Sequence, residues 1–246
     1  MSGHSKWATI KHKKGAADAK RGQMFTKLIK EISIAARMGG GDIEANARLR
    51  TAVLKARGAN MPKDNIDRAI KKGTGELEGV NYEELTYEAY APGGVALLIE
   101  VLTDNKNRAA ADIRNILTKG GGSLATAGSV SRLFKRKGII TLDGEKYTED
   151  EVLDAALEGG AEDVTTSEGI IEIVTTTEDF EPVINALDQK RFETTSAEIS
   201  MIPEAEVSLD EDGTAKAMRL IDRLEENDDV QNVYSNIEVP EGFESD

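Results

Sequence analysis

The chain has 246 residues, with two histidines and no cysteine, which excludes disulfides, thiolate metal sites and cysteine nucleophiles. Its longest apolar run, Val95–Ile99, is far too short to cross a bilayer, and no apolar segment follows the basic N-terminus as in a secretory signal. We therefore expect a cytoplasmic protein.

Charge is distributed unevenly along the chain. The formal net charge is −14, yet residues 1–75 hold 17 Lys and Arg against 6 Asp and Glu. Residues 76–138 are balanced at 8 against 8, and residues 139–246 hold 6 against 31. This asymmetry predicts a basic, nucleic-acid-binding end joined to an acidic body. The acidic body would limit non-specific attachment to polyanions.

The first 25 residues form a basic arm, MSGHSKWATIKHKKGAADAKRGQMF, which holds both histidines and the only tryptophan. Such a lysine-rich segment buries too little apolar surface to fold alone, but it can neutralise phosphates and release their counterions. Trp7 can stack on an unpaired base or anchor the arm by packing on the helices that follow. The sequence leaves both roles open.

Three helices are predicted after the arm. Apolar residues at helical spacing from Phe25 to Ala36 indicate the first, which should end at the glycines that begin at Gly39. The second is predicted over residues 43–57. The third should start at Pro62 and stop at Gly73, with i,i+4 ion pairs Asp64–Arg68 and Asp67–Lys71.

Three short helices also describe a helix-turn-helix, which reads bases from the N-terminal end of its recognition helix. Lys63, Asp64 and Asn65 at that end of the third helix offer little for such reading, so phosphate binding by the basic helix faces is favoured. The candidate nucleic-acid-binding residues are Lys6, Trp7, Lys11, His12, Lys13, Lys14, Lys20, Arg21, Lys27, Lys30, Arg37, Arg50, Arg57, Lys63, Arg68, Lys71 and Lys72.

Beyond residue 79 the pattern changes to short strands and helices. Two strands are predicted near 86–91 and 95–102, then a helix over 106–118 capped by Asn105, and from Ile139 a βαββαβ order typical of ferredoxin-like folds. The last strand–helix–strand unit is expected to join the first sheet. We predict an α+β multidomain chain, with an N-terminal three-helix bundle followed by two ferredoxin-like domains, one inserted in the other. The predicted domains are 1–78, 79–138 with 204–240, and 139–203.

Motifs of common enzymes are missing from the sequence. There is no GxxxxGK[ST] phosphate loop and no GxSxG elbow, and both histidines lie in the arm, which makes a fixed Ser-His-Asp triad improbable. The acidic runs DED and EENDD are interpreted as solvated surface. The ferredoxin-like strands KGIITL and GIIEIV lack the aromatic residues of an RNA-recognition motif. We expect no enzyme activity, no cofactor and no metal.

Several stretches of the chain resemble the signature sequences of the YebC family: SGHSKWATIKHKKGAADAKRGQMFTKL, NMPKDNIDRAIKKGTG, YEAYAPGG, TDNKNRAAADIR and GSVSRLF. The resemblance covers essentially the whole chain. It implies three domains, the first helical and the others α+β, and a non-enzymatic role in gene expression in the cytoplasm. Bacterial members are catalogued as probable transcriptional regulators, and mitochondrial relatives activate translation of cytochrome c oxidase subunit I.

Two functions remain open at this point. The first is a DNA-binding transcriptional regulator, as the family label implies. The alternative is a ribosome-associated translation factor that binds ribosomal or transfer RNA and relieves stalls such as those at proline-rich stretches. Charge predicts a polyanionic partner in both cases and does not separate DNA from RNA. Neither function involves a membrane or a small-molecule substrate.

Overall fold

The computed structural model describes residues 18–167, 169–240 and 243, with side chains from residue 21 onward. These residues form two compact units. The main unit contains the described residues up to 131 and from 207 onward, and the inserted unit contains residues 132–206. The division into three domains stays a prediction.

The main unit opens with a three-helix bundle, as the sequence predicts. Its helices are α1 (Asp18–Gly39), α2 (Ala47–Gly58) and α3 (Lys63–Thr74). The apolar positions predicted to form the first helix face its core: Ile32, Ala35 and Ala36 are buried, and Phe25, Leu28 and Ile29 pack against them.

Helix α2 starts four residues later than predicted because Asn46 caps it. The Asn46 side chain accepts a hydrogen bond from the Leu49 backbone N–H at 3.1 Å, which satisfies one donor of the first turn. Its amide also donates to the carbonyls of Ala35 and Gly40, each at 2.8 Å. One buried side chain therefore fixes both the end of α1 and the beginning of α2.

Helix α3 runs past the predicted stop at Gly73 and ends at Gly75, which adopts a left-handed conformation with φ of 84°. Gly73 has a different role, because α3 lies directly against α1 at this point. A Cβ on Gly73 would lie 2.3 Å from the Ser33 carbonyl oxygen, and Ser33 Oγ donates to the Ala69 carbonyl at 3.1 Å. Glycine is required here for close helix packing.

Gly73→Ala is expected to lower the free energy of unfolding by about 1–3 kcal/mol, the usual cost of forcing one carbon into a packed contact. Gly22→Ala in α1 is the control, since an added Cβ meets nothing within 4 Å and alanine gains roughly 0.5–1 kcal/mol in a helix. Urea unfolding followed by circular dichroism measures both. Equal stabilisation by the two substitutions would contradict the close helix contact.

The sheet of the main unit is antiparallel, with strand order β3-β1-β2-β9. Two helices, α4 and α7, pack against it and against each other. The elements are β1 (Glu83–Tyr90), β2 (Ala96–Thr103), α4 (Lys106–Lys119), β3 (Ser123–Leu124), α7 (Glu211–Glu225) and β9 (Val230–Ser235).

The carboxylate of Glu88 holds the segment that leads out of this sheet. It accepts hydrogen bonds from the backbone N–H groups of Gly128, Val130 and Ser131 at 2.7, 2.5 and 3.0 Å. Burial opposes ionisation of Glu88, but these donors outweigh it and lower its pKa. The chain is thereby fixed immediately before it enters the inserted unit.

The inserted unit has the predicted βαββαβ order and an antiparallel sheet ordered β5-β6-β4-β7, the arrangement of a ferredoxin-like fold. Its elements are β4 (Phe134–Asp143), α5 (Glu149–Gly159), β5 (Asp163–Ser167), β6 (Ile170–Thr175), α6 (Phe180–Gln189) and β7 (Thr194–Pro203). Its core includes Ile140, Leu142, Ile171 and Ile173.

One strand assignment is wrong. The strand that opens the last unit was expected in the main sheet, but β8 (Val207–Ser208) pairs in parallel with β10 (Ile237–Glu238). This strand is short because Asp210 caps α7 by accepting from the Gly213 N–H at 2.8 Å. The α+β class, with a helical N-terminal region followed by sheet domains, is confirmed.

Candidate nucleic-acid interface

The bundle is joined to the sheet of the main unit through Lys30. Its side chain is buried, with the residue 7% exposed, and Nζ lies 2.6 Å from Asp229 Oδ1. The same ammonium donates to the Asp228 carbonyl at 2.8 Å and to the Leu102 carbonyl at 3.4 Å. All three ammonium protons have acceptors within the protein, so Lys30 cannot serve a phosphate. The prediction that Lys30 contacts nucleic acid is therefore wrong.

Asp229 is the centre of this network. Besides Lys30 it accepts from Arg108 at 2.9 Å and from the Thr103 hydroxyl at 3.0 Å. Burial alone would raise its pKa, but the hydrogen bonds and charges of Lys30 and Arg108 outweigh burial, and the pKa lies below its ordinary value. The prediction that the run EENDD is solvated is therefore wrong at Asp229.

The charged side chains of two further candidates donate hydrogen bonds to backbone carbonyls. Lys27 Nζ donates to the Glu225 carbonyl at 2.5 Å, at the end of α7. Arg50 donates to the Glu44 carbonyl at 2.8 Å and is half-buried. Arg21 is exposed at the start of α1. Helix α1 thus directs part of its predicted basic face toward the sheet of its own unit rather than toward a partner.

Six candidates form a second group, which we call the open cations. They are exposed, and their side chains form no hydrogen bond or ion pair with any other described residue. The ion pairs predicted for Arg68 with Asp64 and for Lys71 with Asp67 are not formed between these described residues, so the positive charges face water. The open cations are Arg37, Arg57, Lys63, Arg68, Lys71 and Lys72.

The open cations are concentrated on α3 and the helix ends beside it. Arg68 and Lys72 share one line along α3, because side chains four residues apart lie above one another on a helix. Lys71 directly precedes Lys72, and Lys63 lies in the first turn of the same helix. Arg57 lies in the last turn of α2, directly before α3. Lysine and arginine side chains arranged in this way can contact several phosphates of one nucleic-acid strand.

The remaining candidates lie outside the described residues, and their roles stay predictions. They are Lys6, Trp7, Lys11, His12, Lys13 and Lys14, together with the side chain of Lys20, whose backbone belongs to α1. The basic run that opens β4 lies in the inserted unit. There, Lys135 pairs with Glu204 at 2.5 Å and Lys137 with Glu162 at 2.6 Å, which leaves Arg136 exposed between them.

The ion-pair network around Lys30 was not predicted from the sequence. Asp229 stands in the acidic run EENDD, and Arg108 in the stretch TDNKNRAAADIR. The mixture of acids and bases in TDNKNRAAADIR was the one available signal for an ion-pair network.

In the ranges that the structure describes, no group of three or more metal-ligating side chains could hold a metal ion. None of the helices in those ranges has the length and apolar character needed to span a bilayer.

The chain matches two models of one protein family. Residues 5–76 match a family model described as the TACO1/YebC protein N-terminal domain, and residues 82–237 match one described as the TACO1/YebC second and third domain. The boundary between the two models falls after α3 and before β1. The chain thus matches both models in the order in which the bundle and the sheet domains occur.

Similar proteins match over nearly their whole length. A probable transcriptional regulatory protein of Treponema denticola is 67% identical over 244 residues, covering 99% of both chains. One from Borreliella burgdorferi is 59% identical over 241 residues, covering 98% of this chain and 99% of the relative. The crystal structure of a conserved hypothetical protein from Aquifex aeolicus has a TM-score of 0.86 and 48% identity, covering 96% of this chain and 98% of that chain. The chain therefore belongs to the TACO1/YebC family.

Proposed function

We propose that this protein is a non-enzymatic regulator of gene expression that binds nucleic acid through the phosphate backbone. The observation that carries the proposal is the group of open cations on and beside α3, whose charges no described residue neutralises. The names of the relatives, probable transcriptional regulatory proteins, support a regulatory role. The arm adds further lysines to the same part of the sequence.

The mode of binding follows from the side chains that surround these cations. The first turn of α3 carries Asp64, an acid that would repel phosphate and offers no donor to a base edge. Backbone contacts position a protein on nucleic acid without reading its sequence. The open cations therefore favour binding that depends on charge and shape, with weak dependence on base sequence.

The same feature favours a second candidate, a translation factor that binds ribosomal or transfer RNA. Folded RNA is recognised mostly through its shape and phosphates, and its bases are read where they are unpaired. A surface of exposed lysine and arginine side chains suits such a partner as well as it suits duplex DNA.

Replacement of Lys63, Arg68, Lys71 and Lys72 by glutamine tests the proposal. Each lost phosphate contact should reduce the slope of log K against log salt by about 0.9 on duplex DNA and about 0.7 on single strands. We therefore expect the slope to fall by up to about 3.6 on duplex DNA and up to about 2.8 on single strands, and the affinity at low salt to fall steeply. Fluorescence anisotropy with labelled duplex DNA and an RNA hairpin between 50 and 200 mM salt measures both.

The control variant removes four positive charges elsewhere, by Lys119→Gln, Lys146→Gln, Lys190→Gln and Lys216→Gln. These side chains are exposed, and exposed ion pairs contribute little to stability. It should keep nearly the full affinity. Equal loss in both variants would mean that net charge alone governs binding and would contradict a defined interface on α3.

A further inference from the structure

A cleft opens beside the open cations, between α1, the end of α3 and the connection that leads to β1. It consists of two adjoining cavities of about 430 and 220 Å³. Both are lined by Ile34, Arg37, Asn81 and Tyr82.

The cleft combines positive charge with exposed apolar surface. Arg37 lines both cavities and Lys72 lines the smaller one, so two of the open cations face it. Six large apolar side chains are exposed among the described residues, and three of them border this cleft: Met38 at 67%, Leu77 at 43% and Val80 at 54%. Half of the exposed large apolar side chains in the described ranges are therefore gathered at one site.

The polar groups of the cleft suit a heterocyclic base. Asn81 is exposed and carries both a donor and an acceptor, the pattern needed to bond a base edge. Tyr82 contributes an aromatic ring that Lys30 Nζ approaches to 5.6 Å from the ring centroid. The one acid in the lining, Glu83, is neutralised by Lys106, whose Nζ lies 2.5 Å from Glu83 Oε2.

We infer that this cleft binds one unpaired nucleotide of a nucleic-acid strand, with the base against Tyr82, Asn81 and Val80 and the adjacent phosphates on Arg37 and Lys72. The inference rests on the proposed function, since α3 would carry the strand to the cleft. Charge alone would suit an acidic peptide equally well. An amide and an aromatic ring within one apolar-bordered cavity favour a base, because bases stack on aromatic side chains and bond along their edges.

The test compares an RNA hairpin carrying a single bulged adenosine with the same hairpin fully paired. The unchanged chain should bind the bulged hairpin about fivefold or more tightly, the lower end of what stacking of one base provides. Val80→Ser with Asn81→Ala, and separately Arg37→Gln with Lys72→Gln, should bring the two affinities together. All four side chains are exposed, so both double variants should fold. A DNA hairpin with the same bulge measures the preference for RNA.

The control is Lys63→Gln with Arg68→Gln, outside the cleft, which should weaken both hairpins equally and keep the ratio. Equal binding of the two hairpins by the unchanged chain would overturn the inference and leave the proposed function standing. Binding of neither hairpin at 50 mM salt would overturn both the inference and the proposed function.

The Asn81 side-chain amide resonances give an independent readout. A shift with a hexaglutamate peptide but not with the bulged hairpin would assign the cleft to an acidic protein segment and overturn the inference.

Discussion

Asp229→Ala is expected to lower the free energy of unfolding of the main unit by about 3–5 kcal/mol, the usual cost of removing one partner from a buried ion pair. Lys30 would keep its charge in a site where the residue is 7% exposed, with only two carbonyl acceptors left. Arg108 would lose less, since it also pairs with Asp104 at 2.6 Å and is half-exposed. Urea unfolding at pH 7 measures the difference.

The neighbouring residue provides a matched control. Asp228→Ala removes the same side chain and the same charge one position earlier, where the side chain is exposed, and it retains the carbonyl that Lys30 uses. We expect a change within about 0.5 kcal/mol, as for other surface substitutions. Adding Lys30→Met to Asp229→Ala should recover much of the lost stability, because it removes the unpaired buried charge. Equal effects of the two aspartate substitutions would contradict the network.

The effect should depend on pH in a defined direction. The pKa of Asp229 is lower in the folded protein than its ordinary value, which is about 3.9. The ionised form then stabilises the fold fully above that ordinary value, and the contribution disappears as pH falls toward the folded pKa. The difference between the unchanged chain and Asp229→Ala should be constant from pH 7 to about 5 and shrink below about 4.

The helices were predictable because their apolar positions repeat locally. Phe25 to Ala36 have helical periodicity, and the structure buries that face. The roles of Asn46 and Gly73 were not predictable, since each depends on how two helices meet. Asn46 bonds residues 11 and 6 positions away, and Gly73 is constrained by a carbonyl 40 positions earlier in the chain, at Ser33.

The sequence alone also did not show which positive side chains are neutralised within the protein. Lys30 and Arg37 lie seven residues apart on the same helix, and both were candidates for phosphate contact. The sheet of the main unit covers one and leaves the other exposed, because Asp229 follows α7 almost 200 residues later. Composition predicts how many positive charges the N-terminal region holds. Tertiary contacts decide which of them are neutralised within the protein, and the remainder defines the candidate interface.

Deletion of residues 2–17 is expected to reduce nucleic-acid binding at least as strongly as the four-glutamine variant of α3. The deleted segment contains Lys6, Lys11, Lys13 and Lys14, so both variants lose four positive charges and their salt slopes can be compared directly. We therefore expect the slope to fall by about 3 on single-stranded RNA, with each lysine contributing about 0.7.

A substitution in the arm tests the contribution of base stacking separately from that of charge. Trp7→Ala should leave the salt slope unchanged and weaken binding to single strands by about 1–3 kcal/mol if the indole stacks on a base.

Sedimentation with ribosomes at low salt extends the comparison to the translation candidate. Deletion of 2–17 should release the chain into the supernatant, while the control with four exposed lysines replaced should stay bound. Retention of the truncated chain on ribosomes and on naked RNA alike would contradict an electrostatic role for the arm. Binding would then depend on cations outside the deleted segment, the open cations among them.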